Sequence, residues 1–357
     1  MFSIAIAAEQ KYTTKGKNGP WYDDRELQEE LQGRGHQVEI IAWEDPEIDL
    51  CQFDSIFVSS TWNMCHKPQH FRTWLNACEQ DDQRRLINDR AVLDAGFEKS
   101  IYWEMLKQIL SDNPYLEKLG KLTPSRYFAH SSLHTDSPGV ESIEPGYGFA
   151  EVLAGLDADL HWKRSNLVLK PIISADGHDT FVYNRFKLAI PIDDEKREFV
   201  LDDAEKAEET FQRLISDTER SGVCLQAYME GVEEGEYSLT ILRRKCTHAV
   251  QKPKLFKGDD SSRRRFISLE QLPDGMLRFA EEIVRHFDDK FGRGSVSRAR
   301  VDLFNQRGVP TLCELECVEP NTNLAIVAKA YKDKANETLC RYADVIELRT
   351  QEILDAR

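Results

Sequence analysis

The fold is decided between Ser297 and Val318, where the chain reads SRARVDLFNQRGVPTLCELECV. Ala299, Val301 and Leu303 alternate with Arg298, Arg300 and Asp302, the period-two pattern of a strand with one apolar and one charged face. Asn305-Gln306-Arg307-Gly308 makes the turn, and in the return strand Glu314 and Glu316 share a face with Leu312 and Val318. If Arg300 stands opposite Glu314, Asp302 and both glutamates lie on one side of the sheet. A slip of one residue would turn the set over. Three carboxylates on one face repel unless cations come between them, and carboxylate oxygens beside a nucleotide phosphate are a usual magnesium environment. Arg300 is suited to neutralise a phosphate or a developing oxyanion. The alternative is a solvated face of exchanged ion pairs, and the apolar flanks Leu312, Val318 and Leu324 speak against full exposure.

Lys170 is the second informative position. It alternates with Val168 and Ile172 in Asn166-Leu-Val-Leu-Lys-Pro-Ile-Ile173, so an ammonium interrupts an apolar strand face. A buried lysine needs a counter-charge, and a phosphate would supply it. The polar turn Ser174 to Asp179 follows, offering backbone N–H groups to such an anion. A lysine at a strand edge, reaching for water, is the plain alternative.

Around these pieces the chain divides into three regions, at 1–90, 91–200 and 201–357. Residues 1–90 alternate strand and helix signals: an apolar run from Phe2 to Ala8, a capping-box pattern at Asp23 and Glu26, strands at 38–43 and 55–60, and a helix opened by Pro68. This order predicts a small parallel sheet with helices on both faces. Residues 91–200 hold a helix near 101–110, a polar loop at 130–148 that is a candidate mobile segment, and strands at 166–173 and 180–183. Residues 201–357 hold a helix near 203–220, strands at 223–229, 237–243 and 246–251, a charged loop at 257–265 and a helix near 274–291. Trp62 and Asn63 follow the strand ending at Ser60, where ligands often sit in α/β sheets. Trp62 is therefore a candidate for a substrate pocket, with core packing as the alternative.

The 357 residues carry 47 Lys plus Arg against 62 Asp plus Glu, a formal charge of −15. That balance argues against a nucleic-acid coat or an anionic-membrane binder, both of which need a basic field. Eight cysteines without a CxxC pair predict reduced thiols rather than a zinc site or a disulfide framework. The short apolar start without a basic lead predicts a first strand, and no run approaches the roughly 20 residues of a membrane span, so a cytoplasmic protein is expected. P-loop, Rossmann and serine-hydrolase signatures are absent from the sequence. His66 and His70 are four apart, but Pro68 between them breaks the helix that would align them on a metal.

Taken in order, Leu167-Val-Leu-Lys170-Pro with its turn, Leu225-Gln226-Ala-Tyr-Met-Glu-Gly followed by Gly235-Glu236-Tyr-Ser, Arg300-Val-Asp302 and Glu314-Leu-Glu316 resemble the ATP-grasp superfamily. The likeness is nearest to the branch of glutathione synthetase and the ribosomal-protein glutamate ligase, and it spans nearly the whole chain. It implies an α/β (α+β) architecture: an N-terminal parallel α/β domain followed by two α+β subdomains that clamp ATP. It also implies Lys99 and Lys170 as phosphate-binding lysines, the turn at Asp176 and Gly177 as the lid loop, and Gln226, Ala227, Tyr228 and Met229 as the hinge that meets adenine. Glu236 would accept from the ribose hydroxyls. Asp302, Glu314 and Glu316 would be the metal ligands, with Arg300 beside the transferred phosphate and Lys252 near the γ-phosphate.

The family usually ends its metal motif with Glu-x-Asn, whereas this chain reads Glu314-Leu-Glu316-Cys-Val-Glu319-Pro-Asn321, so Glu319 or Asn321 is an alternative to Glu316. The lid turn is also poorer in glycine than is usual. The activity implied is an ATP-dependent, ADP-forming carboxylate–amine ligase working through an acylphosphate. Its cofactors would be ATP and Mg2+ or Mn2+, and its substrates a small carboxylate and an amine, with amino acids or a short peptide in view. No nucleic-acid or membrane partner is implied, and a homodimer is one assembly open to it. A kinase-like phosphotransferase and a catalytically silent ATP-binding protein are the alternatives.

Overall fold

Strand β1 (Ser3–Ala8) lies between β2 (Gln37–Ala42) and β3 (Ser55–Val58), and β4 (Leu86–Ile87) adds to β3, all in parallel. The computed structural model of the chain describes residues 1–80, 84–133, 137–144, 147–175, 177–186, 199–253 and 263–357. Both faces of this first sheet are apolar because both are covered. Ile4, Ile6 and Ala8 cluster with Leu27 and Leu31 of the helix Tyr22–Gly33 and with Tyr342 and Ile346 of the last helix, Lys332–Asp355. Ala5 and Ala7, one residue out of phase, cluster with Phe71, Trp74 and Leu75 of the helix Pro68–Cys78. The capping box at Asp23 and Glu26 does not form. The helix starts at Tyr22 with no side-chain cap, and the Asp23 carboxylate instead accepts from Thr322 Oγ1 at 2.5 Å. A tertiary partner has outcompeted the local one.

After the two-residue strand β5 (Lys121–Leu122) come β6 (Ser125–His130), β7 (Val140–Ile143), β8 (Leu167–Pro171), β9 (Phe181–Tyr183), β10 (Val200–Leu201) and β11 (Val223–Ala227). The last six form a second sheet in the order β10-β9-β8-β11-β6-β7. The segment read as a loop at 130–148 thus contains β7, parallel to β6. Its four residues, with Glu141 and Ser142 exposed, carry too little alternation to announce a strand. Leu167, Leu169 and Leu225 pack against the helices Phe149–Leu156 and Ala204–Ile215, so residues up to Ala227 join the same sheet as those before 200. Lys170 pairs with Cys224 across β8 and β11, on the face opposite those leucines.

The third sheet takes β12 (Glu236–Leu242), β13 (Lys245–Lys252), β14 (Arg265–Ile267), β15 (Arg298–Gln306) and β16 (Val309–Glu316) in the order β14-β13-β12-β15-β16-β5. Leu239, Ile241, Val301, Leu303 and Leu315 bury one face with the helices Met276–Phe291 and Lys99–Asp112. The strand register differs from the assumed one by two residues: Arg300 faces Glu316 and Asp302 faces Glu314. Because two is even, the charged side chains keep a common face. A bulge between Asp302 and Leu303 leaves Cys313 as the extra residue. It turns Leu312 into the core beside Leu315, away from the glutamates with which it was expected to share a face. All eight cysteines are unpaired thiols. No helix among the described residues is long and apolar enough to cross a membrane.

Candidate active site

One oxygen from each of Asp302, Glu314 and Glu316 lies within 4.8 Å of the others, a donor set that suits a hard divalent cation. The β15–β16 pairing brings them together, and the Asp302–Glu314 pair sits next to the bulge. Arg300 neutralises part of the cluster: its Nε and Nη2 donate to the two Asp302 oxygens at 2.8 and 2.7 Å, and Nη2 also meets Glu316. Lys252 lies between Glu236 and Asp302, at 2.6 and 3.2 Å. Ser238 Oγ donates to Asp302 Oδ1 at 2.7 Å.

Lys99 opens the helix Lys99–Asp112, and its Nζ reaches Glu314 at 3.0 Å and the Ser174 carbonyl at 2.9 Å. It is one wall of a cleft of about 330 Å³ that also takes in Ser174, Glu314, Glu316 and Glu319. Lys170 is 7% exposed. Burial works against its charge, but Glu314, Cys313, Cys224 and Glu236 more than offset this and raise its pKa. Burial likewise pushes Glu314 and Asp302 toward protonation. Lys99 and Lys170 nevertheless hold Glu314 down to about 2, and Arg300 and Lys252 hold Asp302 well below the usual carboxylate range. Glu316 goes the other way: burial, reinforced by Asp302 and Glu314, pushes it up to about 8 against Arg300. Burial also raises Glu319, to about 7, and Glu236. These groups form one network, its acids tuned by Lys99, Lys170, Lys252 and Arg300 from four separate segments.

Gln226 is buried, its Nε2 donating to Ser125 Oγ at 3.1 Å and to the Cys313 carbonyl at 3.4 Å. The Ala227 and Tyr228 N–H groups bond the Pro124 and Asn166 carbonyls. Tyr228 and Met229 pack on Val232, Phe304 and Cys313, an apolar wall between the second and third sheets. The described residues flanking the turn expected to act as a lid are docked on other elements. Ile173 and Ala175 join the first sheet's core, His178 packs edge-on against His66 at 5.0 Å, and Asp179 is held by Arg213 and Arg220. Gly177 has φ 69° with open space around it. Asp176 lies outside the described residues, as do residues 257–262 of the charged loop. His66 and His70 do not converge, since His70 packs on Trp43 instead.

Sequence reading missed three positions that hold this site. Ser238 is one, an unremarkable strand serine until the β12–β15 register sets it opposite Asp302. Asn88, 3% exposed with φ 60°, is another. Its Nδ2 donates to the Arg298 and Cys317 carbonyls at 2.7 and 2.6 Å, and its Oδ1 accepts from the Ser297 and Arg298 N–H groups at 2.8 and 2.9 Å. One amide thereby ties the first sheet to both strands of the acidic hairpin. The third is His248, wholly buried, with Nε2 at 2.6 Å from the Thr322 carbonyl.

Burial lowers the His248 pKa from 6.5 to about 4. The stabilisation of the neutral ring is therefore present above pH 6.5 and is lost as pH falls toward 4, about 3 kcal/mol in all. A His248→Gln variant should flatten that acid limb in urea titrations run at successive pH values. An unchanged limb would show that another group sets it.

The chain also matches a family model described as the N-terminal domain of D-cycloserine synthetase DcsG, over residues 4–88. No curated protein matches it. Among solved structures it is similar to D-cycloserine synthetase DcsG, with a TM-score of 0.69 at 20% identity over 97% of this chain and 99% of that one. It is also similar to the D-alanine–D-alanine ligase of Bacillus anthracis complexed with ATP, at 0.58 and 11% over 100% and 99%. A third similar structure is the ATP-grasp ligase PsnB with precursor peptide PsnA2 and AMPPNP, at 0.53 and 11% over 98% of each chain. From end to end, the fold of this chain is that of the ATP-grasp ligases.

Proposed function

We propose that this protein is an ATP-dependent, ADP-forming carboxylate–amine ligase. The observation that carries the reading is the acidic trio of Asp302, Glu314 and Glu316 within 4.8 Å, set among Lys99, Lys252 and Arg300. Such a cluster is stable in a buried cleft only if positive charge surrounds it. In the first step a substrate carboxylate oxygen attacks the γ-phosphorus of ATP. The bond to the β,γ-bridging oxygen breaks, and ADP and an acylphosphate form. In the second step an amine attacks the acyl carbon, loses a proton, and inorganic phosphate leaves. Magnesium or manganese held by Asp302, Glu314 and Glu316 would screen charge between nucleotide and carboxylate.

Lys99 and Lys170 position the phosphates, Arg300 and Lys252 stabilise the phosphoryl group in transfer, and Glu236 receives the ribose hydroxyls. Gln226 to Met229 supply the adenine hinge. The turn at 174–179 excludes water from the acylphosphate. Glu319, which lines the cleft, is the alternative third ligand to Glu316.

Ligases of this fold include a D-alanine–D-alanine ligase and one complexed with a precursor peptide, so amino acids or a short peptide are the substrate class we assign. We also assign a kinship with the glutathione synthetase and ribosomal-protein glutamate ligase branch, a division near residues 90 and 200, and a cytoplasmic setting. The test is incubation with ATP, magnesium and pooled acids and amines. Amine-dependent release of ADP and phosphate is expected. Release of AMP and pyrophosphate would contradict the reading, and a stable phosphate ester would point to a kinase-like transfer instead.

A further inference from the structure

The helix Lys99–Asp112 gives the cleft a second polar side chain besides Lys99. Tyr102 lines it together with Lys99, Glu314, Glu316 and Glu319, and no step of the ligase reaction above uses it. Lys99 and Tyr102 are three apart and so share a helix face. Helical side chains lean toward the N-terminus, which carries Tyr102 back over the turn that Lys99 opens. The ring is fixed in place: Tyr102 is 2% exposed and belongs to the core of Trp103, Leu106, Tyr127, Ile172 and Leu315.

The Tyr102 hydroxyl makes no hydrogen bond among the described residues. It is not one of the polar atoms sealed in the core without a partner, so it opens on the cleft. Burial, followed by Glu314, Cys224, Cys313 and Glu316, pushes its pKa above the ordinary value. The phenol therefore keeps its proton and is a donor rather than a base. The acids nearest it are engaged elsewhere, Glu314 by Lys99 and Glu316 by Arg300. A rigid donor beside a lysine and a cation site suits an anionic oxygen brought in by a ligand.

The place of the cleft decides which oxygen that is. Met64, Gly96 and Phe97 line it from the side of the first sheet, and none of Gln226 to Met229 does. It is the end of the site remote from the proposed adenine hinge. A nucleoside triphosphate laid from that hinge toward Asp302, Glu314 and Glu316 brings its outermost phosphate there.

We propose that the Tyr102 hydroxyl donates a hydrogen bond to the γ-phosphoryl group of bound ATP, beside Lys99, and holds that group in place for transfer. The inference rests on the ligase reading for what the phosphoryl group is passed to. The contact itself needs only a nucleoside triphosphate in the cleft.

The test measures, by isothermal titration calorimetry on the full chain, the affinities for magnesium–ADP and magnesium–AMPPNP in the parent, Tyr102→Phe and Tyr127→Phe. Phenylalanine keeps the ring and its packing, so the thermal unfolding of Tyr102→Phe without nucleotide should match that of the parent. AMPPNP should bind this variant about tenfold more weakly, the worth of one hydrogen bond to a charged group, while ADP affinity changes by less than about twofold. Tyr127→Phe, in the same core but outside the lining of the cleft, should leave both affinities as they are. Equal losses for the two nucleotides, no loss for either, or the same selective loss in Tyr127→Phe would overturn the proposal. A parent that binds neither nucleotide would overturn it too. Products of the parent with ATP and pooled acids and amines are read alongside. AMP and pyrophosphate, together with the selective AMPPNP loss, would sink the ligase reading and leave the Tyr102 contact standing. ADP and phosphate without that loss would do the opposite.

Discussion

Changing Asp302 to Asn together with Glu314 to Gln should lower ATP-dependent product formation by about three orders of magnitude or more, the scale seen when preorganised charge is removed from a phosphoryl-transfer site. Both amides keep the shape of the acids they replace, so the β15–β16 pairing should persist. What disappears is the charge of Asp302 and Glu314, the two acids of the trio that lysines and Arg300 hold ionised. Lys99 loses its partner at 3.0 Å, and Arg300 loses both bonds to an ionised Asp302. The assay is ADP release in the presence of the productive acid and amine, with circular dichroism as the check on folding. Full activity in a folded double variant would mean that these acids are a structural ion-pair network and nothing more.

The second large effect concerns an amide 3% exposed and outside the acidic cluster. Asn88→Ala should destabilise the protein by about 4 kcal/mol, since two backbone N–H groups and two carbonyls lose their buried partner and alanine inherits a left-handed backbone at φ 60°. The same bonds hold the start of β15 and the chain just after β16, so turnover should fall as well even where the variant remains folded. Urea unfolding of the variant against the parent measures the first effect and steady-state kinetics the second. A loss under about 1 kcal/mol would show that water replaces the amide at little cost.

Much of the fold was legible because it rests on period-two and helical patterns that burial enforces. Ile4, Ile6 and Ala8 alternate with Ala5 and Ala7 into two different cores, and that alternation is written in the sequence. The acidic hairpin was legible for the same reason, and its common face survived a register error because the error was even. What the sequence did not disclose were contacts between segments far apart. Asn88 and the hairpin it clamps are more than 200 positions apart, Asp23 and Thr322 are 299 apart, and Lys99 reaches Ser174 across 75. No local rule assigns such partners. The bulge at Cys313 was hidden too, since an extra residue in a strand leaves the composition of the pattern intact and changes only its phase. Lys170 showed itself as an ammonium in an apolar strand, but the identity of its counter-charge, Glu314, needed two sheets to be brought face to face.

The most direct measurement is a crystal structure with a non-hydrolysable ATP analogue and manganese, the metal located by its anomalous signal. The account predicts manganese peaks bridging the phosphates to Asp302, Glu314 and Glu316, with Lys99 and Lys170 against the phosphates and adenine beside Gln226 to Met229. Nucleotide bound elsewhere, or manganese absent from the three carboxylates while nucleotide is present, would contradict it.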